Sequence, residues 1–525
     1  MMGKTKKQIN FSDYWIENKI KKNSYWYKLR QWALNYLDEN IFQDLFSYYG
    51  RESVSPVYTF MAILIQLEKG YSDREFEEAS IFDDRIKYAL TAPRDFDGID
   101  AVTLCDHRSR FFKSEIGRKI FLSVLEKAKE AGMFDKNNLH IVDSFMVWGQ
   151  AAKQDTYTMI FQCIKMTLKI CGFHELKTEA EKNLIRKDYD IDRKKPIIKW
   201  EDKKEKAILI DELVRDAYTL IDFVKNKVDK KYEDLIDIVE LLEKVSNQDV
   251  YLDKDGRYKI TEGVAKDRTI SINDPEMRHG HKTTSKIQDG YKTEILTGGK
   301  KGELVIGLET VPANVVDGTK LSDLLDKAKE DGYNIDKIYG DSAYSGFEEI
   351  EKRKGETEFV VKFPNPSNKK GKYTKDDFNI NLEEGKVTCP NNVTVEFDKE
   401  KEIGEKGLTI DFKKACENCP LKDKCTDSKK GRKITINKNE KKYKEARKKQ
   451  NTEEYKKDYA KRSNVERNIY QVTSHGGRQS RYVGIKKTAW QVIMACINNN
   501  IKKFMSYIYK NDDKKAKGGV CPNVS

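Results

Sequence analysis

The sequence predicts an α/β fold in which a mixed or parallel sheet is flanked by helices. Two observations predict the main elements. Apolar residues recur every three and four positions from about residue 11 to 135, which is typical of amphipathic helices. Short apolar runs then alternate with helical patterns between Leu139 and Pro364, as they do in β-α-β units.

A third observation, a change of pattern in two charged segments, predicts two insertions. Because 525 residues exceed the usual size of one domain, we expect two to four units. The predicted segments are a helical N-terminal domain (11–135), an α/β core in three parts (136–173, 251–364 and 441–508), a helical insertion (174–250), a basic cysteine-rich insertion (365–440) and a disordered tail (509–525).

Helix start and stop signals support the N-terminal domain. Pro56 follows Ser55, a favourable first-turn pair, and Gly70 ends that helix. Ser72 and Glu75 have the spacing of a capping box for the next helix. The abundance of Arg and Lys suits DNA binding, although a helical docking domain would show the same periodicity.

Two aspartates follow predicted strands of the core. The run Leu139–Val142 ends at Asp143, and the strand Ile335–Tyr339 leads through Gly340 to Asp341. The carboxyl ends of strands are where open α/β sheets place their functional sites. Taken alone, each aspartate is more often a helix cap or a turn residue.

A third carboxylate lies on a long predicted helix that begins at Thr452 and runs to about Thr473. Tyr459, Arg462 and Glu466 are separated by three and then four residues, so they share one helix face. An Arg–Glu surface pair is the simpler interpretation of that spacing.

Three converging carboxylates would have a chemical purpose. Mg²⁺ prefers oxygen ligands, and two such ions about 4 Å apart stabilise the attacking and leaving oxygens of a phosphodiester. We therefore expect Asp143, Asp341 and Glu466 to be catalytic residues that bind two Mg²⁺ or Mn²⁺ ions.

Each insertion has its own signature. Two apolar stripes in 174–250 predict a helical hairpin. In the second insertion, Cys389, Cys416, Cys419 and Cys425 include a Cys-x₂-Cys pair, which predicts a structural Zn²⁺ site, with free thiols as the alternative.

The net charge and the apolar segments of the sequence say more about where the protein is located than about what it does. The net charge of +13 is moderate and by itself is weak support for nucleic acid binding, although lysines cluster in dense runs. The sequence contains no apolar run long enough to span a membrane and no apolar segment after its basic N-terminus. We expect a cytoplasmic protein with no membrane partner.

Several motifs together resemble the DDE transposases of bacterial insertion sequences, in the branch related to the insertion-sequence-four group. The match runs from about residue 25 to 505. The motifs are Val142-Asp143-Ser144, Asp274-Pro275-Glu276-Met277-Arg278, Ser285-Lys286, Asp289-Gly290-Tyr291-Lys292, Tyr339-Gly340-Asp341-Ser342-Ala343-Tyr344, Arg462-Ser463-Asn464-Val465-Glu466, Gly484 and Asn498-Asn499-Asn500.

This resemblance implies a ribonuclease-H-like core and Mg²⁺-dependent chemistry on DNA. Water would attack at the ends of the element, and the freed 3′-hydroxyl would then attack target DNA. The implied partners are terminal inverted repeats, target DNA and further copies of the chain. The implied DNA contacts are Tyr459, Arg462, Lys286, Lys292, Arg278 and Arg478.

One position departs from the family pattern, and two other functions remain open. Family members often carry a Lys seven residues after the Glu, where this chain has Thr473. Either that role would pass to His475, Arg478 or another nearby basic residue, or activity would be reduced. A DNA-binding regulatory or decayed copy without catalysis would share the basic and helical features. A ribonuclease-H-like nuclease would cut without joining, and inverted repeats flanking the reading frame would favour the transposase over it.

Overall fold

The chain divides into two units in the computed structural model. Unit 1 contains Met1–Asn138, Ser144–Lys320 and Glu466–Ser525, and unit 2 contains Leu139–Asp143 and Leu321–Val465. The structure describes the following residues: 1–4, 16–190, 192–263, 265, 267–283, 286–366, 371–398, 403–404 and 407–518.

Helices form the N-terminal part of unit 1, where the apolar spacing predicts them. Pro56 starts one helix, which ends at Gly70 in the left-handed conformation (φ 76°). Ser72 and Glu75 form the expected capping box of the next helix. Residues 11–15 of this predicted segment lie outside the described residues. The helices are α1 (Tyr25–Tyr36), α2 (Pro56–Lys69), α3 (Asp73–Phe82), α4 (Asp84–Leu90), α5 (Ala101–Lys113) and α6 (Ile116–Glu130).

A second group of helices in unit 1 surrounds an apolar core of its own. It contains the helices expected in 174–250, but its core also takes in residues such as Phe161 and Ile164 from the preceding helix. That helix is apolar enough to be buried along most of its length, so the helical layer is larger than the predicted insertion. The elements are α7 (Thr156–Phe173), α8 (Lys177–Glu181), α9 (Lys203–Lys227), α10 (Glu233–Gln248), β2 (Val250–Leu252) and β3 (Tyr258–Ile260).

Antiparallel strands form the sheet of unit 1. Strand β5 (Lys286–Gly298) pairs antiparallel with β4 (Arg278–Thr283) and with β6 (Leu304–Pro312). Strand β1 (His140–Trp148) supplies its residues 144–148 to this unit. Buried apolar positions on β5 and β6 contribute to the core of this unit.

The C-terminal part of unit 1 is helical. Helix α16 (Asn464–Val472), which belongs to this unit from Glu466 onward, is followed by a π-helical turn and then by α17 (Ile485–Gly518). Helix α17 therefore continues into the segment 509–525 that we expected to be disordered, and residues 519–525 lie outside the described residues. None of the described helices is both long and apolar enough to cross a membrane.

Parallel strands form the core of unit 2. Strand β7 (Lys337–Gly340) pairs parallel with the first residues of β1 and with β8 (Glu358–Val361). Within unit 2 the pairings follow the order β1-β7-β8. Helices α11 (Leu321–Glu330) and α12 (Phe347–Lys352) complete this part.

Short strands and turns make up the cysteine-rich part of unit 2. Its three-stranded and two-stranded sheets are antiparallel. Basic helices follow them. The elements are β9 (Asn379–Asn381), β10 (Lys386–Thr388), β11 (Thr394–Glu396), β12 (Leu408–Asp411), α13 (Lys422–Cys425), β13 (Lys433–Ile436), α14 (Glu440–Gln450) and α15 (Glu453–Tyr459).

Candidate functional site

Asp143 is a buried carboxylate on a strand that is covered on both faces. The residues around it on β1 are almost all buried, and Asp143 itself is 9% exposed. A buried carboxylate needs a partner to remain charged. Arg462 provides one, because its Nη2 donates a hydrogen bond to Asp143 Oδ2 at 2.9 Å.

Asp341 directly follows β7, the parallel neighbour of β1. His140 pairs with Ile338 and Ile141 with Tyr339, and Asp143 and Asp341 each come two residues after the second pair. The charges of both aspartates act on Tyr459. The two aspartates therefore lie near the same end of the paired strands β1 and β7 in unit 2.

The side chain of Asp341 stabilises the backbone turn that follows it. Asp341 Oδ1 accepts a hydrogen bond from the backbone N of Ala343 at 2.8 Å, which caps a short 3₁₀ turn (Ser342–Tyr344). A Cβ on Gly340 would lie 3.0 Å from the ring of Tyr344, so glycine permits this close approach. Asp341 is thus a turn cap, as the simpler interpretation expects, and it also faces the site.

Tyr459 lies next to both aspartates. Burial raises the pKa of its phenol, Arg462 lowers it, and the charges of Asp341 and Asp143 raise it further. Its ring stacks on Tyr455, with ring centroids 6.5 Å apart. Unit 2 therefore brings together four of the predicted site residues: Asp143, Asp341, Tyr459 and Arg462.

Asp458 is a supporting residue that the sequence analysis missed. It accepts hydrogen bonds from Tyr339 Oη at 2.9 Å and from Lys461 Nζ at 2.8 Å, and it forms an ion pair with Lys337 at 2.8 Å. Burial opposes its ionisation, but the bonds from Lys337, Lys461 and Tyr339 lower its pKa to about 2. Asp458 thereby fixes the helix that carries Tyr459 against β7. Nothing in its local sequence distinguishes it from other acidic residues.

Glu466 belongs to unit 1, where its side chain is exposed on α16. Two residues further along, the buried Asn468 holds this helix in place. Its Nδ2 donates to the backbone O of Gly302 at 2.8 Å, and its Oδ1 accepts from Asn499 Nδ2 at 3.3 Å. The sequence analysis missed Asn468, although Asn499 belongs to a motif that it did single out.

Other motif residues form hydrogen bonds within unit 1 that connect the segment before β4 with β5 and with the start of α17. Tyr291 Oη donates to Asp274 Oδ1 at 2.6 Å, and Asp274 Oδ2 accepts from the backbone N of Gly484 at 3.3 Å. Glu276 Oε2 accepts from the N of Ile485 at 2.8 Å, which caps α17. A Cβ on Gly290 would lie 2.3 Å from the backbone N of Gly149, so only glycine fits there. These residues position backbone rather than reacting groups.

The four other predicted DNA contacts, all in unit 1, differ in accessibility. Lys286 is exposed at the start of β5. Lys292 donates to the backbone O of Val315 and forms an ion pair with Asp317, both at 2.8 Å.

Arg278 and Arg478 bind groups inside the protein. Arg278 is 7% exposed and its guanidinium binds Asp267 at 2.8 Å. Arg478 Nη1 donates to Met146 O at 3.0 Å, and burial lowers the pKa of Arg478. These internal partners disfavour direct DNA contacts by Arg278 and Arg478.

Thr473, the position that departs from the family pattern, is 9% exposed and donates to the backbone O of Tyr470 at 3.3 Å. His475, one of the residues expected to take over the role of the missing Lys, lies 3.5 Å from a carboxylate oxygen of Glu68.

The four cysteines lie close together in unit 2. Cys389, Cys416, Cys419 and Cys425 all line one cavity of about 20 Å³. Burial raises the pKa of the Cys425 thiol, Arg432 lowers it and the other three cysteines raise it. Across the described ranges, however, no group of three or more His, Cys, Asp or Glu side chains is already placed to hold a metal ion.

One comparison with known proteins is informative. Residues 388–505 match a protein-family model described as a transposase DDE domain. The matched range contains Tyr459, Arg462 and Glu466, and it begins after Asp143 and Asp341. Searches of curated proteins and of solved structures gave no significant match.

The match supports a DDE transposase, a class of enzyme that acts on DNA and generally uses divalent metal ions such as Mg²⁺. The mixed sheet with flanking helices is consistent with such a fold.

Proposed function

We propose that this chain is an active transposase of a bacterial insertion sequence, in which Asp143, Asp341 and Glu466 hold two divalent metal ions. It cleaves DNA at the ends of the element and transfers the 3′-hydroxyl to target DNA. The observation that carries the proposal is that Asp143 and Asp341 follow paired positions of two parallel strands, that Arg462 donates to Asp143, and that the charges of both aspartates act on Tyr459.

The strand order supports a ribonuclease-H-like core. In unit 1, strands β6, β5 and β1 are neighbours, and β5 and β6 are antiparallel. In unit 2, strands β1, β7 and β8 are parallel. Asp143 lies on β1, and Asp341 directly follows β7, the strand that pairs with it in unit 2.

The carboxylates suit Mg²⁺ because they supply hard oxygen ligands. When bound, such metal ions lower the pKa of the attacking water or hydroxyl and stabilise charge on the phosphate. Arg462 balances the charge of Asp143, and we expect it and Tyr459, which lies beside both aspartates, to contact the DNA. The zinc ion expected in the cysteine-rich segment has no part in this reaction.

A strand-transfer assay distinguishes the transposase from the two alternatives. The substrate is a labelled duplex that contains the DNA flanking the reading frame, with supercoiled plasmid as target and Mg²⁺ as metal. We expect nicked or cut ends and labelled DNA joined to the plasmid. A nuclease would cut the uncut duplex but would not join a second, pre-cut substrate that carries a free 3′-hydroxyl end. A regulatory copy would bind the duplex without cutting it.

Asn468→Ala should lower the cleavage rate by on the order of 10²-fold, because misplacing a catalytic group by about 1 Å has an effect of that size. The change removes the bonds to Gly302 and Asn499 that fix α16. The measurement is the cleavage rate as a function of Mg²⁺ concentration, with DNA-end binding and the urea unfolding midpoint measured alongside.

The matched control is Asn35→Ala, since Asn35 is exposed and its Nδ2 bonds only to Gln31 of its own helix in the described contacts. A wild-type rate and a wild-type Mg²⁺ requirement for Asn468→Ala would contradict the positioning role. Equal losses of rate and end binding would identify a general folding defect instead.

A further inference from the structure

We propose that Cys389, Cys416, Cys419 and Cys425 bind one Zn²⁺ ion that holds the cysteine-rich segment of unit 2 together. This site is separate from the proposed transposase chemistry. Its basis is that four cysteines, which lie in a strand-connecting turn, a 3₁₀ turn, the segment after it and a short helix, line the same small cavity.

The first cysteine lies in the tight turn between β10 and β11. Cys389 N donates to Val393 O at 2.9 Å, and Asn392 N donates back to Cys389 O at 2.9 Å. Asn392 adopts the left-handed conformation that this turn requires (φ 54°). The turn therefore holds Cys389 at a fixed point beside the cavity.

The other three cysteines approach through a 3₁₀ turn and a short helix. Cys416 ends the 3₁₀ turn (Lys414–Cys416), Cys419 follows three residues later, and Cys425 ends α13. This Cys-x₂-Cys spacing brings two sulfurs to one ion in structural zinc sites. Cys416 and Cys425 are buried, whereas Cys389 and Cys419 are half-buried.

One contact beside the cavity suits a metal-bound thiolate. The backbone N of Arg432 donates to Cys416 Sγ at 3.5 Å, a bond that stabilises negative charge on sulfur. The aromatic rings of Phe378 and Phe412 also line the cavity.

The cavity and the side chains allow an ion to be enclosed. A cavity of about 20 Å³ exceeds the roughly 10–15 Å³ that a water molecule needs. Among the described residues the four cysteines do not yet form a metal-binding group, so binding an ion would require changes in their side-chain rotamers. Binding would form four Zn–S bonds and release the thiol protons to solvent.

The small size of this segment explains why a metal would be needed. Its strands are only three or four residues long, and they enclose a core of few fully buried side chains. Small cores of this kind rarely supply enough stability alone. A tetrahedral metal ion would join the turns of Cys389, Cys416 and Cys425 without additional apolar surface.

The test is metal analysis of the full-length chain after gel filtration. We expect about one Zn²⁺ per chain in the wild type and its loss in Cys419→Ser, which changes a half-buried ligand. Cys105→Ser, at an exposed cysteine in unit 1, should retain the metal. Replacement by Co²⁺ in the wild type should give intense thiolate-to-cobalt absorption, which needs no variant to fold.

Three outcomes would overturn the proposal. They are a folded wild-type chain without zinc and without the cobalt spectrum, a Cys419→Ser variant with wild-type zinc, and iron with labile sulfide in place of zinc. Asp341→Asn, which removes a proposed catalytic ligand, should keep its zinc. Failure of the zinc site is therefore distinguishable from failure of the proposed transposase function.

Discussion

Asp341→Asn is expected to reduce DNA cleavage by more than about 100-fold while DNA-end binding stays close to wild type. Changes to groups that only support a metal ligand already cost about 10–100-fold, and loss of a ligand should exceed that range. Asparagine retains a side-chain oxygen that can accept from Ala343 N, so the local turn should persist. The measurement is the single-turnover cleavage rate of a labelled end with Mg²⁺.

Asp336→Asn provides a matched control for this substitution. Asp336 is exposed, immediately precedes β7 and lies five residues before Asp341. The same chemical change there should leave cleavage unchanged. Wild-type cleavage by Asp341→Asn would remove Asp341 from the catalytic site, whereas equal losses in both variants would indicate damage to the strand rather than to the chemistry.

DNA binding by the full-length chain is expected to weaken by about 10³–10⁵-fold between 50 and 200 mM salt if it neutralises six to ten phosphates. Lysines exposed on the helices that precede Tyr459 are well placed to do so, and Lys448 and Lys449 form an adjacent pair there. The measurement is the slope of log K against log salt concentration for one DNA-end duplex.

A charge-matched pair of double variants tests where that DNA contact occurs. Because each phosphate contact contributes about 0.9 to the slope, Lys448→Gln with Lys449→Gln should reduce its magnitude by about 2. Lys203→Gln with Lys204→Gln, an exposed pair on the helical layer of unit 1, should leave it unchanged. An affinity independent of salt would contradict phosphate binding, and equal effects of both pairs would contradict the assigned surface.

Local signals predicted much of the secondary structure because they act within one turn of backbone. The Ser72–Glu75 capping box and the Gly70 stop both formed as expected. The helix expected from Thr452 to about Thr473 is instead broken by a 3₁₀ stretch (Ala460–Ser463) and ends in a π-helical turn. The helical spacing of apolar residues does not predict such breaks, because the average spacing is the same on both sides of a break.

The candidate site was predicted only where its residues follow strands or share a helix face. Asp143 and Asp341 could be found because a parallel sheet aligns the ends of its strands. Asp458 and Asn468 could not, because Asp458 binds Tyr339 and Asn468 binds Gly302, more than 100 residues earlier in the chain. Such partners depend on tertiary packing, which one sequence does not encode in any local pattern.

The most direct test of the central claim is anomalous diffraction from crystals of the full chain bound to a DNA end and Mn²⁺. The proposed function predicts Mn²⁺ peaks about 4 Å apart, with carboxylate oxygens of Asp143, Asp341 and Glu466 as ligands. Peaks held by the two aspartates with the Glu466 carboxylate more than roughly 10 Å away, a distance that two ions spaced about 4 Å apart cannot bridge, would contradict it.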